Sequence, residues 1–165
     1  MKVVLLKEGV YKVNITMNEK NKAITDLLNG TYESLKSVIP INYQISKPQL
    51  LGKNLEFQFG VLIGVTGDVK GSLILTGDSV VFSSIGEAMF GMPLEGEMLS
   101  SFSGELGNML AGRISTIILE NGIQTDITAP TILQGNTTLS GYEKAIHMTA
   151  NFDHIGAMDI YLLIN

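Results

Sequence analysis

Glu105 and Asn108 bring a carboxylate and a carboxamide within one helical turn of each other in the segment GEMLSSFSGELGNMLAGRISTIILENG. A carboxylate can accept hydrogen bonds or pair with a cation. A carboxamide offers a donor and an acceptor and does not titrate, which suits it to holding a water molecule in a set orientation. In a helix, each residue advances by about 100°. Ser101, Glu105, Asn108 and Gly112 therefore fall on one stripe, within roughly 60° of one another. Gly104, Ala111 and Ser115 lie alongside.

The surroundings of this pair are unusual for a solvated helix face. Such faces are normally filled with Lys, Glu, Gln and Arg, which are good helix formers. Here Gly104, Gly107 and Gly112 occupy helical positions, at a cost of about 1 kcal/mol each. Two explanations stand side by side. The glycines let a neighbouring helix or strand pack closely and the polar pair is ordinary surface, or the small residues form a ridge on which a partner docks while Glu105 and Asn108 reach into it. Met98, Leu99, Phe102, Leu106, Met109, Leu110 and Ile117 form a broad apolar face that is expected to look toward the core.

The elements that must position this helix follow from periodicity and punctuation. Lys22–Ile39 has the spacing of an amphipathic helix, weakened by Gly30 and ended by Pro40. Leu55–Thr66 and Val69–Thr76, joined at Gly67-Asp68, read as a hairpin. Asp78–Phe90 reads as a short helix capped by Asp78 and closed by Gly91 and Pro93. The long helix is expected over about residues 97–120, stopping near Asn121-Gly122. Thr125–Gln134, Tyr142–Phe152 and Ile155–Ile164 read as strands, with joints at Gly135-Asn136 to Gly141 and at Asp153-His154. Local antiparallel connections give an α+β class: a single layered domain in which an antiparallel sheet packs with helices. Residues 1–16 alternate loosely and stand as an N-terminal extension or an added strand. Met17 opens MNEKNKAITDLL, which reads like a natural start, so residues 17–165 form the domain proper.

Composition narrows the functions. The chain of 165 residues is 45% hydrophobic and carries a formal charge of −5, with no basic run. Nucleic-acid binding, which needs clustered Lys and Arg, is not expected. No cysteine is present, which removes thiolate chemistry, disulfides and Cys-ligated metals. His147 and His154 lie in strand-like sequence outside any metal-binding pattern, so structural or surface roles are expected. No stretch approaches the roughly 18 apolar residues of a membrane span, and the N-terminus lacks a signal-like apolar run. A cytoplasmic protein is expected.

Ser101, Glu105 and Asn108 resemble the signature of the CheC/CheX family of chemotaxis response-regulator phosphatases: an Asp or Ser, three residues, Glu, two residues, Asn, and a proline further along. Pro130 matches that proline more loosely. The local string ELGNMLAG is the most specific part of the match, and the likeness extends from about Met17 to the end. The first helical segment, ITDLLNGTYESLKSV, has no Glu-x-x-Asn, so the chain is similar to the single-motif CheX-like branch. That resemblance implies a homodimer built by pairing sheets. Arg113, after Gly112, departs from the small or amide residue frequent there, and an acidic partner for it is expected.

The resemblance also implies a chemistry. The substrate is the phospho-aspartate of a CheY-like response regulator. Asn108 orients the attacking water, and Glu105 anchors the complex by pairing with the regulator's lysine. Ser101, Gly104 and Gly112 accompany Glu105 and Asn108 in contacting the partner, and Pro130 is structural. No metal or other cofactor is implied on this chain, because the regulator brings its own Mg²⁺. Two rivals belong to other classes. One is a non-catalytic, flagellar-switch-like scaffold that binds a regulator or assembles into rings. The other is a small-molecule domain, disfavoured because the candidate site is a convex ridge and ligand sites are concave.

Overall fold

Ten strands and three helices follow one another in the computed structural model, which describes residues 3–7, 10–13 and 19–165, with side chains from residue 21 onward. The first two strands, β1 (Val3–Lys7) and β2 (Val10–Val13), pair with each other as a separate two-stranded sheet, and β2 lies near α1 (Glu19–Val38). Met17 falls outside the described residues.

Helix α1 buries Ala23, Ile24, Leu27, Leu28 and Leu35 along one face and stops two residues before Pro40. Its two buried hydroxyls are satisfied within the helix. Thr31 donates to the Leu27 carbonyl and Ser34 to the Gly30 carbonyl, both at 2.7 Å. Gly30 is more than a weak helix former here. A β-carbon on it would stand 3.4 Å from Ile118 Cγ2 and 3.5 Å from Ile114 Cγ2, so its bare backbone sets the close crossing with the long helix.

Two short strands not expected from the sequence come next, β3 (Tyr43–Ile45) and β4 (Gln49–Leu50). The expected hairpin is present as β5 (Leu55–Gly67) and β6 (Gly71–Thr76), in register from Gly60↔Thr76 to Val65↔Gly71. Helix α2 (Ser79–Phe90) starts after Asp78, whose side chain makes no capping bond, and ends on Gly91 in the left-handed conformation (φ 78°). The long helix α3 spans Gly96–Leu119. Beyond it lie β7 (Thr125–Ile127), β8 (Thr131–Leu139), β9 (Lys144–Phe152) and β10 (Gly156–Ile164).

The strands from β3 onward make one eight-stranded antiparallel sheet with the order β3-β9-β10-β6-β5-β7; β4 also pairs with β9, and β8 with β5. Alternation divides the strands cleanly. Leu73, Leu75, Met148, Ile160 and Leu162 point into the main core with the helices, whereas Ile74, Ala145, Tyr161 and Leu163 form a smaller cluster on the opposite face. The mixed helix-and-sheet architecture expected from the sequence is the one observed. Among the described residues no helix is long and apolar enough to cross a membrane.

The last strands differ from expectation in two places, both on the sheet edge. The strand read as Thr125–Gln134 is broken at residues 128–130, where Pro130 has no N–H for the ladder. Thr128 bridges the break: its N–H donates to the Gly64 carbonyl at 2.9 Å, and its Oγ1 accepts from the Gly64 N–H at 2.8 Å. The strand then continues through Gly135 and Asn136, which had been expected to end it. These two residues oppose Gln58 alone, because the register jumps from Phe57↔Thr137 to Phe59↔Gln134. That is a bulge, with Gly135 at φ 89° and the Gln58 side chain bonded to Asn136.

Candidate functional site: the open face of the long helix

Helix α3 lies between the sheet and solvent, and its burial pattern gives its orientation. Phe102, Ser103, Gly104, Leu106, Gly107, Leu110, Ala111, Ile114 and Ile118 are buried. Ser101 and Glu105 are exposed, and Asn108 and Gly112 are half-buried. The expected stripe is therefore on the surface, with Glu105 and Asn108 one turn apart on it. An acidic Glu97 in the first turn complements the helix dipole. At the other end Gly122 (φ 83°) turns the chain, and the Ile123 N–H returns to the Ile118 carbonyl at 3.1 Å.

The two explanations of the glycines both hold, for different glycines. Gly104 and Gly107 face the sheet. A β-carbon on Gly104 would lie 3.4 Å from Pro130 Cγ and 3.5 Å from Ile132 Cδ1; on Gly107 it would lie 2.8 Å from Val61 Cγ1. Gly104, expected in the partner-facing set, is buried under Pro130 rather than presented beside Glu105. Gly112 belongs to the open stripe, since its nearest neighbour would be Ile127 Cδ1 at 4.0 Å.

Pro130 completes the arrangement from below. By breaking the edge strand it carries its ring against Gly104, one residue before Glu105. Ser115, also on this flank, donates to the Thr125 carbonyl at 3.1 Å. One side of the ridge is consequently walled by β7 and β8.

The other flank departs from expectation. Met98 and Met109, expected on the core-facing apolar face, are both exposed. The signal was present in the spacing. Met98 lies about 20° and Met109 about 40° from Glu105 around the helix, whereas Met109 and Leu110 are about 100° apart. Arg113 is exposed and has no acidic partner among the described residues.

Elsewhere, His147 Nε2 stands 2.8 Å from Asp159 Oδ1, to which Thr149 Oγ1 donates at 2.7 Å, and the imidazole stacks on Tyr161 with centroids 4.6 Å apart. Carboxylate and hydroxyl both approach the same ring nitrogen, so the group lacks the two-sided histidine of a nucleophilic triad. His154 occupies a turn at φ 64°. Among the described residues no three His, Asp or Glu side chains gather as a metal site.

The family model described as chemotaxis phosphatase CheX matches residues 59–150, from mid-β5 through α3 and Pro130 into β9. The CheY-P phosphatase CheX of Thermotoga maritima is 31% identical over 119 residues, covering 69% of this chain and 76% of that protein. A CheC-like superfamily protein from Shewanella superposes with a TM-score of 0.73 at 26% identity, over 90% of this chain and 99% of its own. A chain of the CheX–CheY–BeF3–Mg²⁺ complex from Borrelia burgdorferi shares the fold, with a TM-score of 0.71 at 21% identity over 86% of this chain and 97% of that one. The fold is that of the CheC-like proteins. Within that class, the chain belongs to the CheX family.

Proposed function

We propose that α3 carries the family's reaction, hydrolysis of the aspartyl phosphate on a CheY-like response regulator in chemotaxis-type signalling. The observation that carries this is the Glu105–Asn108 pair: two polar side chains one turn apart on the open face of a helix, in a chain 31% identical to a CheY-P phosphatase.

An acyl phosphate is already reactive, so the catalyst has little covalent work to do. Water attacks phosphorus in line, its oxygen forms the new P–O bond, and the bond to the aspartate carboxylate breaks. Inorganic phosphate and free aspartate result, with the proton of water lost to solvent or phosphate. Aligning that water is the main task, and positioning of this kind can supply several kcal/mol. Asn108 can donate to one group and accept from the water without changing charge. Its half-buried position restricts the side chain more than a fully solvated one would. Exposed Glu105 is free to pair with a cationic side chain beside the regulator's phosphorylation site. Ser101 and Gly112, small and on the same stripe, let the two proteins approach. Pro130 acts through Gly104, as a support. The Mg²⁺ that neutralises the phosphoryl group is assigned to the regulator. The same proposal places the protein in the cytoplasm, where phosphorylated regulators are, as a homodimer.

The test is phosphate release from a regulator charged with acetyl phosphate, with and without this protein. Release well above the regulator's own decay supports the reading. Binding without acceleration supports the scaffold alternative.

A further inference from the structure

We infer that the regulator seats on an apolar flank beside the Glu105–Asn108 ridge, formed by Met98 and Met109 with Phe90 and Met92 at its end, and that this flank sets affinity while the ridge sets the chemistry. The inference rests on the reading of α3 as the regulator-facing helix.

Four of the seven large apolar side chains exposed among the described residues lie on this helix within three turns of its centre or on the segment that leads into it: Phe90, Met92, Met98 and Met109. Isolated exposed apolar residues need no explanation, but a gathering next to a polar pair marks an interaction surface. Met98 and Met109 lie almost in line with Glu105, about 16 Å apart along the axis at 1.5 Å per residue. Phe90 is exposed to 59% yet held, because its ring packs edge-on against Phe102 with centroids 5.7 Å apart.

Interface size and continuity with the ridge make the regulator the occupant. A specific interface covers about 800 Å² on each partner. Ser101, Glu105, Asn108 and Gly112, two of them with almost no side chain, cannot supply that area, so any protein that engages them must spread sideways. On one side it meets β7 and β8. On the other it meets the methionine flank, with Glu105 and Arg113 beside Met109 on the helix and exposed Glu95 and Glu97 beside Met98. The matching surface on the regulator is apolar, next to its acidic phosphorylation pocket. Unbranched methionines adapt to such a surface more readily than β-branched residues do.

The experiment is steady-state dephosphorylation of the phosphorylated regulator by the full chain and by the double variant Met98→Ser/Met109→Ser, with Asn108→Ala in parallel. Both methionines are exposed, so the double variant should melt as the parent does. The expected result is a KM raised roughly tenfold or more with kcat within about twofold. An unchanged KM, with Asn108→Ala inactive, overturns the flank and leaves the ridge standing. A fully active Asn108→Ala overturns the reading of the ridge and the flank with it. Sedimentation of the double variant covers the other occupant: loss of self-association with an unchanged KM assigns the flank to a second copy of this chain and overturns the inference.

Discussion

A β-carbon on Gly107 would stand 2.8 Å from Val61 Cγ1, closer than such carbons approach one another, so the residue immediately before Asn108 holds α3 against β5 at a separation only glycine permits. The surface position of Asn108 is thereby fixed from the core side. Gly107→Ala is expected to push the helix outward or force Val61 from its rotamer. Overpacking of this kind costs about 1–3 kcal/mol, only partly offset by alanine's better helix propensity. Thermal unfolding should show the loss. Phosphatase turnover should fall further than binding, because the displaced group is the water-orienting one.

Gly112 provides the contrasting case. A β-carbon there would meet only Ile127 Cδ1, at an ordinary contact distance of 4.0 Å, so Gly112→Ala is expected to stabilise the fold by up to about 1 kcal/mol through helix propensity. Gly112→Phe should fold as well as the parent yet bind the regulator poorly, since a bulky ring would stand on the docking stripe. Calorimetric titration with the regulator, alongside a melting curve, separates the two effects. Equal binding by the phenylalanine variant would remove Gly112 from the contact surface.

How much of this was legible beforehand depended on whether the signal was local. The β5–β6 hairpin and all three helices were readable because alternation, glycine turns and a 3.6-residue period are carried within each segment. Strands β3 and β4 were not: each spans only two or three residues, and they exist because β9, about a hundred residues away, offers a free edge. Pro130 and Gly135 misled for a related reason. The strand was read straight through Pro130, which interrupts it, and was ended at Gly135, which an edge strand absorbs as a bulge. The stripe of Ser101, Glu105, Asn108 and Gly112 was visible because it depends only on helical geometry. What lies beneath it was not visible. Gly104 and Gly107 face Pro130 and Val61, contacts that depend on how the helix is rolled on the sheet. Met98 and Met109 were counted into an apolar face drawn too broadly, when their angles lie within about 40° of Glu105.

Asp26 links the fold to pH. Its Oδ2 is buried with no hydrogen-bond partner, and burial raises the carboxyl pKa above the usual 3.8, an effect that Lys22 partly opposes. Because the folded-state value is raised, ionisation of Asp26 opposes folding at neutral pH, and that penalty disappears as pH falls through the folded value toward 3.8. Asp26→Asn should therefore raise the melting temperature at pH 7, with the two proteins converging near pH 4. A constant difference across that range would show that the charge is not the cause.

The central claim is that Asn108 orients the water while Glu105 holds the partner. Single-turnover decay of the phosphorylated regulator tests it most directly, at phosphatase concentrations raised until the rate saturates, for the parent, Asn108→Ala and Glu105→Ala. The account predicts that Asn108→Ala saturates at a similar concentration but reaches a maximal rate lower by about a hundredfold. Glu105→Ala should need a much higher concentration to saturate. An Asn108→Ala protein that matches the parent's maximal rate would contradict the account.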